Sequence, residues 1–278
     1  MNCIIDVGGG NKGVFADGVF DYLMDNHIIF DSCIGISAGA ANCCSYISGQ
    51  RGRNLKFYTG YSLSSRAIGL LAFLKTRGSF IDLDYIYHTV SCTSGKCPID
   101  FDAYSASTIK GIYVATDALT GEPVYFDKSE LQLNDYGAIS ASSAMPVVCK
   151  PYEYKGRKYY DGYLSDPIPI QKALDAGCGK IVLLLALPKD HFRSGKGDAK
   201  TAEKLKKYPK AAERAAQSSN LYNKQLEQAL ELEKEGRVLI IAPKGFSKMK
   251  ALEKDKAQIM KIYEDGYRSA EIIKDFLG

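Results

Sequence analysis

Asp31-Ser-Cys-Ile-Gly-Ile-Ser37-Ala-Gly-Ala-Ala41 is the stretch whose reading decides the fold. Phe30 to Ile36 is apolar enough for a buried strand, while Ala38, Ala40, Ala41 and Cys43 are small enough to let a following helix pack close to a sheet. Between them, Gly35-Ile-Ser37-Ala-Gly39 fits G-x-S-x-G, where small residues flank a serine so that a sharp, strained turn lifts its hydroxyl above the sheet. Ser37 is therefore the candidate nucleophile, with Gly35 and Gly39 supporting the turn. Glycine and serine also populate ordinary loops, so the neighbouring segments decide whether the pattern carries chemistry.

Working outward, Asn2 to Val7 is a short apolar run that ends in Gly8-Gly-Gly-Asn-Lys-Gly13. Val14, Phe15, Val19, Tyr22 and Leu23 then recur at helical spacing. Two successive strand–helix units predict a parallel sheet covered by helices. From Arg51 to Ser107 the pattern is irregular and mostly helical, rich in residues such as Phe57, Tyr58, Leu70 and Tyr87, and suited to covering or lining a cavity. Strands are predicted at Ile109 to Thr116 and Glu122 to Asp127, paired through the turn at Thr120-Gly121. A helix from Tyr136 to Met145 should stop at Pro146, and a second hairpin, Tyr152 to Tyr154 with Lys158 to Tyr160, delivers Asp161-Gly162 at its end. A helix at Ile170 to Ala176, a strongly buried strand at Lys180 to Leu187, two polar helices between Thr201 and Glu235, a strand at Arg237 to Ala242 and a helical segment from Leu252 to Leu277 follow.

With 278 residues, 46% of them hydrophobic and 24% charged, the chain has the composition of an ordinary globular protein with a substantial core. Its longest apolar runs, Ile181 to Leu187 and Ile68 to Leu74, fall far short of the roughly 20 residues of a membrane-spanning helix. The first residues lack the basic and apolar regions of a secretion signal, so a cytoplasmic protein is expected. Most of the eight cysteines sit in apolar settings that suit buried thiols, whereas Cys92-Thr-Ser-Gly-Lys-Cys97 has a turn-rich spacer that leaves a disulfide or metal role open.

Net charge is +4, unevenly placed. From Pro188 onward 20 Lys and Arg face 14 Asp and Glu, and the excess peaks between Lys189 and Lys210. That segment reads either as a solvated surface or as a site of peripheral contact with an anionic membrane. No nucleic-acid motif accompanies it.

A serine hydroxyl needs a base to take its proton and donors to stabilise an oxyanion. None of His27, His88 and His191 follows a late core strand in the manner of a triad histidine. Asp161 is the better candidate base: it ends a strand, precedes Gly162, and is followed by the Pro167 and Pro169 turn.

At this point the chain resembles the patatin-like phospholipase family, whose acyl hydrolases use a Ser-Asp dyad. Gly8-Gly-Gly-Asn-Lys-Gly13 looks like the family's oxyanion loop, Gly35-Ile-Ser37-Ala-Gly39 like its nucleophile elbow and Asp161-Gly162 like its dyad motif. Ala115 to Phe126 and Ala141 to Pro146 also look like family core segments, so the resemblance covers roughly residues 2 to 187. It implies a single three-layer α/β/α domain with a mainly parallel sheet, in which Ser37 attacks an ester carbonyl and Asp161 accepts and returns the proton. The oxyanion would meet the loop of Gly8, Gly9, Gly10, Lys12 and Gly13, with backbone N–H groups near Gly9 and Gly10 as donors and Lys12 fixing the loop. A lipid or small ester is the implied substrate, and neither a metal nor an organic cofactor is implied.

Tyr163 departs from the family, which commonly has a small residue after Asp-Gly, and a bulky ring there would narrow the site or alter substrate preference. Two other readings remain. The loop Gly8 to Gly13 also satisfies the G-x-G-x-x-G fingerprint of dinucleotide binding, although the acidic residue expected at the end of the second strand is replaced by the serine elbow. A non-catalytic scaffold binding lipid or protein through the same fold is the other.

Overall fold

The computed structural model describes residues 1–245, 252 and 254–278. β1 (Asn2–Asp6) leads through the glycine loop into α1 (Val14–Asp25), and β2 (Ser32–Ile36) turns at Ser37 into α2 (Ala38–Ile47). The excursion that follows holds α3 (Arg53–Thr59), α4 (Leu70–Thr76), a π-helical turn at Tyr85–Val90, and α5 (Phe101–Ala106). β3 (Lys110–Asp117) and β4 (Pro123–Asp127) form the first hairpin, α6 (Gly137–Ser142) comes next, and β5 (Tyr152–Tyr154) and β6 (Arg157–Asp161) form the second. Then come α7 (Ile170–Asp175), β7 (Lys180–Leu184), α8 (Asp198–Lys204), α9 (Pro209–Lys234), β8 (Val238–Ile241), α10 (Lys256–Ser269) and α11 (Ile273–Leu277).

One mixed sheet of eight strands runs through the molecule. β1, β2, β3, β7 and β8 are parallel, as expected where helices cover both faces. Successive side chains of a strand point to opposite faces, so Ile4 enters the core shared with α1 and α2 while Cys3 and Ile5 enter the core shared with α7 and α9. The architecture is thus a central sheet between two helical layers.

The register of β3 positions the site. Val114 pairs with Ile36 of β2 on one edge and with Tyr125 of β4 on the other. One residue later Ala115 still pairs with β4, through Val124, but its other partner is Asp161 of β6. A strand has two edges, so β6 takes over along β3 where β2 turns away into α2. Ser37 and Asp161 therefore meet end to end along one strand edge.

Three expectations need adjusting. The helix predicted from Tyr136 to Met145 ends at Ser142, because the Asp161 amide draws the Ala144 carbonyl into a bond of 2.9 Å and the residues before Pro146 leave helical conformation. Cys92 and Cys97 remain thiols, donating to the carbonyls of Thr89 and Arg53 at 3.3 and 3.6 Å. In the segment predicted from Leu252, residue 253 lies outside the described residues, and α10 begins after Asp255, whose carboxylate caps it by accepting from Ala257 N–H. Among the described residues no helix is long and apolar enough to cross a membrane, and no three His, Cys, Asp or Glu are grouped to hold a metal ion.

Candidate active site

Ser37 stands at the strand-to-helix turn with φ 57° and ψ −127°, a conformation that costs a non-glycine residue about 1–3 kcal/mol. The surroundings hold it there. Its amide donates to Ser142 Oγ at 2.9 Å, and its carbonyl accepts the Ala40 amide at 3.0 Å. Strand and helix cross so closely that a Cβ on Gly39 would lie 2.3 Å from the Asp6 carbonyl oxygen, and one on Gly35 would lie 2.5 Å from that of Gly39. These glycines are required by contact between backbones.

The loop before α1 passes through three consecutive left-handed residues, Gly8, Gly9 and Gly10, at φ 72°, 118° and 61°. Asp6 anchors it. Its buried carboxylate accepts the Gly8 amide at 2.9 Å and the Asn42 amide at 2.8 Å, and Asn42 also donates to the Gly13 carbonyl at 2.9 Å. Burial pushes the Asp6 carboxyl up to about 7 against the lowering effect of those two bonds. The Gly8 amide is thereby committed to Asp6, whereas those of Gly9 and Gly10 have no acceptor among the described residues. Gly13 packs beneath, where a Cβ would sit 2.8 Å from the Tyr58 hydroxyl. Lys12 is half-buried, its ammonium pulled below the ordinary value by burial and then by the Arg193 charge.

Asp161 ends β6 with its carboxyl buried, accepting the Tyr163 amide at 2.9 Å, and the Ser37 side chain lies close enough to lower its pKa. Burial raises it to about 6 despite the lowering effects of the Tyr163 amide and the Ser37 side chain. Its carbonyl accepts Thr116 Oγ1 at 2.9 Å, and Thr116 in turn bonds Ser165 at 2.7 Å, so the backbone that presents the carboxyl is pinned from β3. Gly162 lets this turn lie on β3, since a Cβ there would come 2.2 Å from the Val114 carbonyl.

The histidines are placed elsewhere, except one. His27 lies in the turn after α1, and His88 bonds Asn134 and Tyr152, while His191 lines the cleft that contains Ser37. Ser37 is the meeting point of two spaces. One is a mainly apolar cavity of about 70 Å³, bounded by Ala41, Phe57, Ile68, Ile81, Ile86 and Leu252. The other is an open cleft of about 600 Å³, where Ser37 and Asp161 face Tyr163, Arg193, Lys196 and Tyr222.

Residues 7–174 match the family model described as Patatin-like phospholipase. The chain belongs to this family. Among proteins similar to this patatin-like phospholipase chain is the uncharacterized protein YjjU of Escherichia coli K12, 30% identical over 190 residues that cover 66% of this chain and 52% of YjjU. An uncharacterized NTE family protein of Mycobacterium tuberculosis, Rv1063c, is 44% identical over 57 residues, 20% of this chain and 15% of its own. The chain thus spans about half the length of YjjU and a smaller share of Rv1063c. The crystal structure of VipD from Legionella pneumophila aligns over 99% of this chain and 66% of VipD with a TM-score of 0.54 at 13% identity, which shows a common fold. The patatin-like match contains the glycine loop, the elbow and Asp161-Gly162 and ends within α7, and residues 208–275 match a domain of unknown function, DUF6363.

Asp6, Asn42, Ser142, Thr116 and Arg193 were not singled out from the sequence. Asp6 had a signal, a carboxylate directly before a glycine run. Asn42 lies on α2 itself with no pattern to mark it, and Ser142, Thr116 and Arg193 reach the site from distant elements.

Proposed function

We propose that the chain is a serine acyl hydrolase that cleaves carboxylic esters of lipids through Ser37 and Asp161. The observation that carries this reading is that a serine held in a strained elbow and the buried Asp161 carboxyl line one cleft, close enough for the serine to lower the pKa of that carboxyl. In the reaction, Ser37 Oγ attacks the ester carbonyl carbon while Asp161 takes its proton. Charge developing on the carbonyl oxygen is met by the Gly9 and Gly10 amides, which no side chain screens. Asp161 then protonates the departing alcohol, leaving an acyl group on Ser37, and water activated by the same carboxylate releases the acid. The apolar cavity takes the acyl chain, and the open cleft takes the alcohol.

Family membership supports acyl hydrolysis of lipids in general. A lipid surface is the natural source of such a substrate, and α4 is the element suited to meet it. Leu70, Leu71 and Leu74 are exposed there, Phe80 and Val147 are exposed on adjoining segments, and Lys75, Arg77 and Lys150 are exposed beside them. Cations rimming an apolar face suit anionic headgroups. Within the basic segment Lys189 pairs with Glu233 and Lys210 with Glu213, as on a solvated surface.

The test is labelling with a fluorophosphonate followed by peptide mapping. The expected result is a single adduct on Ser37, formed far more slowly in Asp161→Asn. Absence of an adduct, or one on another serine, would sink the reading.

A further inference from the structure

Three successive residues hold both partners of the proposed dyad. Ser142 Oγ accepts the Ser37 amide at 2.9 Å, and the Ala144 carbonyl accepts the Asp161 amide at 2.9 Å. Ser143, between them, is where α6 ends: its amide still donates back to the Ile139 and Ser140 carbonyls at 3.1 Å, but the chain beyond it leaves helical conformation. The helix fixes the residue that serves Ser37, while the residue that serves Asp161 lies beyond its last turn.

A side chain from the excursion between β2 and β3 meets that junction. The Tyr87 hydroxyl lies 3.1 Å from Ser143 Oγ, both residues are buried, and neither hydroxyl has another hydrogen-bond partner among the described residues. Tyr87 comes from the π-helical turn at Tyr85–Val90, a rare conformation found often at functional sites. Burial pushes its hydroxyl up to about 12, with the Ser143 bond acting against burial and the Asp161 charge acting with it. The hydroxyl therefore stays protonated, and it is near enough to Asp161 to feel the carboxylate. Tyr87, Ser143 and Ser37 line the same cavity. In such low-dielectric surroundings a hydrogen bond is stronger than in water.

We propose that Tyr87, acting through Ser143, is a positioning residue for the dyad. The inference rests on the acyl hydrolase reading and deepens it. The hydroxyl pair pins the junction from which Ser142 and Ala144 reach Ser37 and Asp161, so the excursion that walls the cavity also sets the spacing of the two groups. Misplacing reacting groups by about 1 Å costs about 10²-fold in rate, and loosening a single hydrogen bond costs a smaller factor. Tyr87→Phe removes the hydroxyl and leaves the ring, and with it the cavity wall, in place.

Two measurements test this. In the first, kcat and KM for butyryl and octanoyl nitrophenyl esters are compared for wild type, Tyr87→Phe, Ser143→Ala and the double variant. Each single variant should lose about 5- to 20-fold in kcat on both esters, with KM changed by less than about twofold. The double variant should be no slower than the slower single one, since either change breaks the same bond. An unchanged kcat in Tyr87→Phe, a loss confined to KM, or losses that multiply in the double variant would overturn the proposal. In the second, hydrogen exchange of the Ser37 and Asp161 amides is followed by NMR in wild type and Tyr87→Phe. Both amides should exchange about 3- to 10-fold faster in the variant while those of Ile4 and Ile5 in β1 keep their rates. Unchanged exchange at Ser37 and Asp161, or an equal acceleration throughout the sheet, would also overturn it. If wild type hydrolyses neither ester while the two amides still depend on Tyr87, the hydrolase reading fails and the positioning contact stands.

Discussion

The two spaces that meet at Ser37 differ in size and in the segments that wall them. The smaller takes most of its wall from the excursion between β2 and β3, whereas the larger takes aromatic and charged residues from the segment after β7. Neither segment holds Ser37 or Asp161. Those sit on the sheet, where the switch of β3 from β2 to β6 places Ser37 beside Asp161. On the proposed function this is a division of labour: the parallel core would fix the reaction, and the two flanking segments would choose what reacts.

If the cavity holds the acyl chain, filling it should affect chain length alone. Ala41→Phe adds a ring to the wall beside Ser37, and each methylene then excluded forfeits about 0.8 kcal/mol. The kcat/KM for dodecanoyl relative to butyryl esters should fall about 10- to 50-fold, measured on matched nitrophenyl esters. A uniform loss across chain lengths would break the comparison.

The reaction itself should respond to pH through Asp161. Its carboxyl is raised to about 6, so kcat/KM should drop about tenfold for each pH unit below 6, on every substrate alike. An acid limb near the ordinary value of about 4 would contradict the burial of the dyad. Stability runs the other way. Asp161 and Asp6 hold their protons more tightly when folded, up to about 6 and about 7, so their contribution to stability is largest below about pH 4 and declines as pH rises towards 7. Thermal unfolding across that window would show activity climbing while this contribution falls.

The smallest effect belongs to the surface. Replacing Leu70 and Leu74 by Ser should lower hydrolysis of esters presented in anionic vesicles about three- to tenfold while leaving soluble short-chain esters nearly unaffected. Equal rates on vesicles for wild type and variant would remove α4 from the account.

Much of the sheet, and the elements that carry Ser37 and Asp161, was legible because the signals are local. Ser37 announces itself through glycines at positions 35 and 39 that let strand and helix touch, and Asp161 through a hairpin that ends on it. The end of α6 was misjudged because a tertiary bond from the Asp161 amide to Ala144 ends the helix before proline does. The pairing of Asp6 with Asn42 and the Arg193–Tyr163 stack had no sequence signal, since each joins segments that only the fold brings together. Tyr163 was legible as a departure from the family, and its partner was not.

The measurement closest to the central claim is hydrolysis of a series of p-nitrophenyl esters by wild type, Ser37→Ala and Asp161→Asn. The account predicts activity in wild type and a loss of at least about 10³-fold in both variants at every chain length, with folding intact by circular dichroism. Wild-type activity retained in either variant would show that the reaction is carried out elsewhere in the molecule.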